Sequence, residues 1–259
     1  MAKDTTTRFA AATSAATSPN PAPPATVEQA FEALTNYDHG SSRAALMPLD
    51  EAVVASLENP AARVGLEQRL VAVLKGTAPA VAKEYACRKL SLIGSAASVS
   101  ALANLLSDAG LSDPARTALE ALPCPESIKA LRSSLPKLTG LPKAGTINSL
   151  GVRRDTASVL ILVRLLKDPD SQIAAGAVAA LGNLGTPKAA RALRALQPIA
   201  PDALRLVWAD ACLVCAERLM ADGKKDAAVA TYRLLADSGH PTHVRSAAKR
   251  GLSLAGQKQ

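Results

Sequence analysis

Apolar residues recur along this chain at intervals of three and four, the spacing that places them on one face of an α-helix. Val27, Phe31 and Leu34 form the first such face. Thr26 precedes it as an N-cap, with Gln29 three residues on, the arrangement of a capping box. After Gly40 a second helix is predicted from about Pro48 to Leu57. A third, from about Ala61 to Leu74, carries Val64, Leu66, Leu70, Val71 and Leu74.

From about residue 80 the pattern repeats. Leu90, Leu119, Leu150 and Leu181 lie 29, 31 and 31 residues apart. Leu102, Leu131, Leu162 and Leu193 keep the same three spacings. Two positions holding one register define a repeat whose unit is a pair of helices. The middle unit contains Thr146 to Leu166, two short antiparallel helices joined by a tight turn at Val152–Asp155. Gly94-Ser95 and Gly185-Thr186-Pro187 each offer a C′ glycine and an N-cap hydroxyl, and Pro187 suits the first helical position. Pro125 likewise suits a helix start after Cys124, and Asp-Pro pairs at 113–114 and 168–169 punctuate the joints between units. Pro201 to Met220 reads as a longer helix, followed by one bearing Ala228, Tyr232 and Leu235. That hairpin has tetratricopeptide-like spacing, and His243 to Leu254 repeats the first-helix pattern as a cap.

The predicted fold is therefore all-α, an α-solenoid of helix hairpins. Its parts are a disordered tail over 1–25, rich in Ala, Thr, Ser and Pro, and a helical cap over 26–79. Repeat units follow near 80–108, 109–138, 139–168 and 169–198, then the longer hairpin 201–238 and a capping helix 243–255. Composition agrees: 48% of the 259 residues are hydrophobic but only 2% aromatic, so small side chains do the packing and helices can approach closely.

Helical pairs of about 30 residues with Leu-Gly at the turn resemble the short HEAT-like, PBS-lyase-type repeats of bacterial proteins. The clearest match is Asp168 to Leu196, with Ala-Ala-Leu-Gly-Asn-Leu-Gly inside it, and the resemblance spans roughly residues 80–255. Tyr37-Asp38-His39-Gly40, Cys87 to Gly94 and Ile147 to Asp155 are similar to segments of an uncharacterised bacterial HEAT-repeat family. The resemblance implies a protein-binding scaffold. Relatives that are exported or carry a sugar-hydrolase-like domain also raise an accessory role beside a separate hydrolase.

Charge separates the chain into two parts. Residues 26–80 hold 4 basic and 7 acidic side chains, whereas residues 81–259 hold 24 and 14. The net charge of +8 and a pI near 9.5 favour an anionic partner. An acidic protein and a nucleic acid both meet that description, but one Trp and three Tyr offer little for base stacking. The four Cys, at 87, 124, 212 and 215, do not form a disulfide framework in a chain of this size. The N-terminus lacks a signal-peptide core and no run approaches a membrane span, so a cytoplasmic location is expected unless a signal lies upstream.

The candidate binding residues are Arg153, Arg154, Asn148 and Arg88. At the position three after the aligned leucine the units read Ile93, Leu122, Arg153 and Leu184; one further on they read Gly94, Pro123, Arg154 and Gly185. The third unit thus puts two guanidinium groups where its siblings have an apolar residue and a turn former, which is costly unless they are paired or reach solvent. The alternative is an ion pair with Asp155 or with a carboxylate of the next unit. Asp155 itself is expected to cap the second helix. Cys212-Leu-Val-Cys215 sits mid-helix among apolar residues and reads as core thiols. His240 and His243 lack two further ligands, and His39 belongs to a turn. With no nucleophile–base pair and no phosphate loop, the expected protein is a non-enzymatic scaffold without cofactor or metal. It would bind another protein through its inner helices and the turn rim. Nucleic-acid or polyanion binding stands as the second reading.

Overall fold

The structure, a computed structural model, describes residues 26–196, 204–237 and 239–257. The predicted tail at 1–25 and the predicted helix start at Pro201 lie outside them. The fold is an all-α solenoid, with no strand among the described residues. Three helices lead: α1 (Val27–Thr35), α2 (Met47–Ala55) and α3 (Pro60–Lys75). Thr26 and Gln29 close α1 with the reciprocal bonds of a capping box. Between α1 and α2 a 3-10 turn, Arg43–Leu46, begins the segment expected to start at Pro48.

Hairpins then follow one another: α4 (Ala80–Ile93) with α5 (Ala96–Ala103), and α6 (Ser112–Ala121) with α7 (Pro125–Ser134). Next come α8 (Gly140–Val152) with α9 (Val159–Leu165), and α10 (Ser171–Leu184) with α11 (Pro187–Leu196). The last is α12 (Arg205–Ala221) with α13 (Lys225–Leu235), closed by α14 (Thr242–Gly256). The first helices α4, α6, α8, α10, α12 and α14 pack successively in one layer, and the second helices stack beside them. Both aligned leucine columns are fully buried, all eight side chains at 0% exposure. Truncating any one to alanine costs about 2–5 kcal/mol, so these columns carry much of the array's stability.

The unit at 168–196 shows why the sequence folds this way. Asp170 caps α10 by accepting from the Gln172 amide at 2.9 Å. Gly185 ends that helix in the left-handed region at φ +60°, where only glycine is unstrained. Thr186 then accepts from the Ala189 amide at 3.1 Å, and Pro187 opens α11. Gly94 differs from this expectation. Its φ is −66°, and it is glycine because a Cβ would meet the Leu90 carbonyl at 2.5 Å.

Seams between units follow a simple rule. The residue after the aligned leucine faces the residue before the next one, and both are small where packing is tight. A Cβ on Gly151 would lie 2.9 Å from the Ala180 Cα, and one on Gly182 would lie 2.6 Å from the Ala211 carbonyl oxygen. Between α6 and α8 the same position holds Glu120, opposite Ser149. A cleft of about 710 Å³ lies beside this seam, lined by Ser112, Asp113, Arg116, Leu141, Pro142 and Gly145.

Candidate functional site

One of the four candidate residues, Arg153, lies at the seam between α6 and α8. The Ser149 hydroxyl donates to Glu120 Oε2 at 2.5 Å, and Arg116 Nη1 donates to Ser149 Oγ at 2.9 Å and to Glu120 at 3.3 Å. Arg116 also pairs with Asp113 at 2.5 Å and lies over Gly145, whose missing side chain makes the room. Four polar side chains thus replace the glycine–alanine contact of the later seams.

Arg153 belongs to this network. Its Nη1 donates to the backbone carbonyls of Glu120 at 2.7 Å and Leu122 at 2.5 Å. The last carbonyls of a helix lack intrahelical partners, and a cation there also faces the negative end of the helix dipole. A guanidinium in place of the siblings' isoleucine or leucine therefore caps the C-terminus of α6 across the seam. Of the two roles expected for Arg153, partner contact or structural pair, this is a structural engagement, made with backbone carbonyls rather than with a carboxylate. Arg153→Met is expected to cost about 1–3 kcal/mol by leaving these carbonyls unpaired, with Arg153→Lys recovering part of it. Thermal unfolding followed by circular dichroism measures both; equal melting of wild type and Arg153→Met would refute the cap.

Arg154 takes the left-handed conformation, φ +49°, at the position Gly185 fills in the next unit. Its guanidinium pairs with Asp222 at 2.5 Å, where α12 ends, beyond the intervening glycine turn. Both side chains are partly exposed, so the pair contributes little stability. The carboxylate expected in the next unit is thus one hairpin further on.

Asp155 accepts two bonds from Arg132 of the preceding unit, Nε at 2.6 Å and Nη2 at 2.7 Å, and a third from the Ser158 hydroxyl. Burial alone would raise its carboxyl, but the Arg132 and Ser158 hydrogen bonds and the Arg132 charge hold it below the ordinary aspartate value. Asp155 therefore locks two units together through Arg132, where the sequence suggested a helix cap or a pair with Arg153 or Arg154. Ser158 is one of a buried column, Ser98, Ser127 and Ser158, in the leucine register and each at 0% exposure. Ser98 and Ser95 donate to the buried Glu67 of α3, and Ser127 donates to the Leu122 and Cys124 carbonyls. The column is a third aligned position in the sequence, one that apolar periodicity passes over because serine is not an apolar marker.

Arg88 and Asn148 do fall in one row. Both stand two residues before the aligned leucine, with Thr117 and Ala179 at the equivalent sites, and all four are exposed. Arg88 pairs with Glu84 on its own helix.

The remaining candidates have structural places. Cys212 and Cys215 are buried in α12; burial pushes both thiols up, Cys215 to about 11. Burial also pushes the Cys87 thiol up, to about 12. His240 stacks on Trp208 with ring centroids 5.6 Å apart, and His39 lies in the turn before Gly40. Among the described residues no group of three His, Cys, Asp or Glu side chains is placed to hold a metal, and no helix is long and apolar enough to cross a membrane.

Residues 140–211, the α8 to α12 stretch with the glycine–alanine seams, match the family model for HEAT repeats. The chain contains HEAT repeats. HEAT repeats generally mediate protein–protein interactions, and HEAT solenoids are typically non-catalytic scaffolds. Solved structures similar to the chain include two crystal structures of engineered proteins. One is 20% identical with a TM-score of 0.42 and covers 88% of this chain and 67% of its own. The other is 19% identical with a TM-score of 0.39 and covers 80% and 96%. No curated protein matches the chain.

Proposed function

We propose that this HEAT array is a non-enzymatic scaffold that binds another protein across the exposed rows of its first helices and the adjoining turn rim. The observation that carries this reading is the row Arg88, Thr117, Asn148 and Ala179, exposed in four successive units. A second row, Leu92, Ala121 and Val152, is exposed beside it. Stacked hairpins hold such rows at fixed spacing, which lowers the ordering cost of binding an extended partner surface. On this view Asn148 and Arg88 are direct contacts, Arg154 contributes by exchanging Asp222 for a partner carboxylate, and Arg153 holds the rim in shape.

The test compares wild type with Arg88→Glu/Asn148→Arg in affinity capture from cells that make the protein, with melting measured in parallel. Loss of at least one captured protein at unchanged melting supports the scaffold reading. An identical set of captured proteins from the two forms overturns this face as its site.

A further inference from the structure

The two helix layers differ in their balance of charge. The second helices α5, α7, α9, α11 and α13 carry eight basic and two acidic side chains, whereas the first helices α4, α6, α8, α10, α12 and α14 carry ten and five. Acidic side chains are thus sparser on the second layer. Most of its cations are exposed on the face away from the first helices. Lys129 and Lys137 are exposed on or just after α7, Arg164 and Lys167 on or just after α9, and Lys188 and Arg191 on α11. The acidic side chain on the same outward stripe is Glu126. Arg132 and Arg194, by contrast, turn inward to Asp155 and Thr231.

At the centre of this face stands an unexpected residue. Lys129, Leu160 and Arg191 are equivalent, each two places before its aligned leucine, so a leucine sits where its neighbours in the stack have cations. Leu160 is 59% exposed. The outward face therefore combines a central apolar side chain with a surround of positive charge, the anatomy of an interface centre and its polar rim. None of the six cations is in an ion pair among the described residues.

We propose that this outer face of the second helices is the docking surface for an acidic segment of a partner protein, with a large apolar side chain of that segment seated on Leu160. Complementary charge would steer the encounter and the apolar contact would fix its register. Neighbouring helix axes lie about 8–10 Å apart, so cations on α7, α9 and α11 meet about every third residue of an extended chain. An acidic protein fits better than a nucleic acid. Trp208 is 2% and Tyr232 3% exposed, so the face offers no aromatic platform for bases. The proposal rests on the scaffold reading but concerns the opposite layer from the Arg88–Asn148 row.

The test uses the purified full chain and fluorescence anisotropy. The probe is a labelled oligoglutamate peptide of about twelve residues, long enough to cross three helices, with a leucine at its centre. Controls are the same peptide with a central alanine and a single-stranded oligonucleotide of similar charge. The leucine peptide is expected to bind tightest. Arg164→Glu/Lys188→Glu/Arg191→Glu is expected to weaken it about tenfold or more, equal to about 1.4 kcal/mol. Leu160→Ser should abolish the preference for leucine over alanine, and Lys249→Glu, on the exposed surface of α14, should change neither. Circular dichroism checks folding, and Arg191→Glu alone replaces the triple variant if that one unfolds. The proposal is overturned if the peptide fails to bind, binds the charge-reversed variants equally, or is outcompeted by the oligonucleotide. None of these outcomes bears on the capture experiment with Arg88→Glu/Asn148→Arg, so the two readings fail separately.

Discussion

Replacing Gly182 by valine is expected to unfold the carboxy-terminal half of the array, while Gly145→Ala leaves melting nearly unchanged. Both glycines lie in first helices and face a neighbouring unit. A Cβ on Gly182 would meet the Ala211 carbonyl oxygen at 2.6 Å and its Cα at 2.8 Å, and both are backbone atoms held by α12. A Cβ on Gly145 would meet Arg116 Nε at 2.8 Å, a side-chain atom that can shift where the Ala211 backbone cannot, with some loosening of its bonds to Ser149 and Glu120. Overpacking against fixed backbone costs about 1–3 kcal/mol for a single methyl, and valine adds two more carbons. Gly182→Ala should therefore lose about 2 kcal/mol, and Gly182→Val more than about 3 kcal/mol. Gly145→Ala should stay within about 1 kcal/mol, since removing a helical glycine also has a favourable propensity term. Urea unfolding of the three variants measures this order, and equal losses at the two glycines would show that the α10–α12 seam is not the tight one.

That contrast shows what was legible in the sequence. The leucine columns marked the helix faces, and the Asp170, Gly185, Thr186 and Pro187 signals marked where helices start and stop. Those are local signals, readable within one unit. The oddity of Arg153-Arg154 was legible too, because alignment of the units exposes it. Its cause was not. The guanidinium of Arg153 answers Glu120, 33 residues earlier, which stands where Gly151 and Gly182 stand in later units. Only the stacking geometry shows that Arg153 reaches back across the seam to the backbone carbonyls at the end of α6. The same holds for Glu67, whose Ser95 and Ser98 partners are 28 and 31 residues away. In a repeat array, unpaired polar residues in one unit are commonly answered by the next, so unusual residues mark seams at least as readily as binding sites. The outward basic stripe escaped the sequence reading for a related reason: total charge says nothing of which helix layer carries it.

Breaking one such lock gives the second large effect. Arg132→Met is expected to destabilise the array by about 2–3 kcal/mol at neutral pH. Removing one partner of a fully buried pair costs about 3–5 kcal/mol. The smaller value applies here because the Arg132 side chain is 31% exposed, although Asp155 is only 8% exposed. The loss should depend on pH in a defined sense. In the wild type the Asp155 carboxyl is held below its ordinary value. Its contribution is therefore complete above the unfolded aspartate pKa of about 3.9 and disappears as pH falls through the lower folded value. In the variant, burial acts without the arginine and the folded carboxyl rises, so protonation relieves the unpaired charge. The gap between wild type and variant is thus widest near pH 7 and closes towards pH 3. Adding Asp155→Asn to Arg132→Met should recover much of the loss at neutral pH, because an amide leaves no unpaired charge in the turn. A gap that stayed constant from pH 7 to pH 3 would mean that Arg132 stabilises by packing alone. A gap that closes would identify the ion pair as the clasp between the two central repeats.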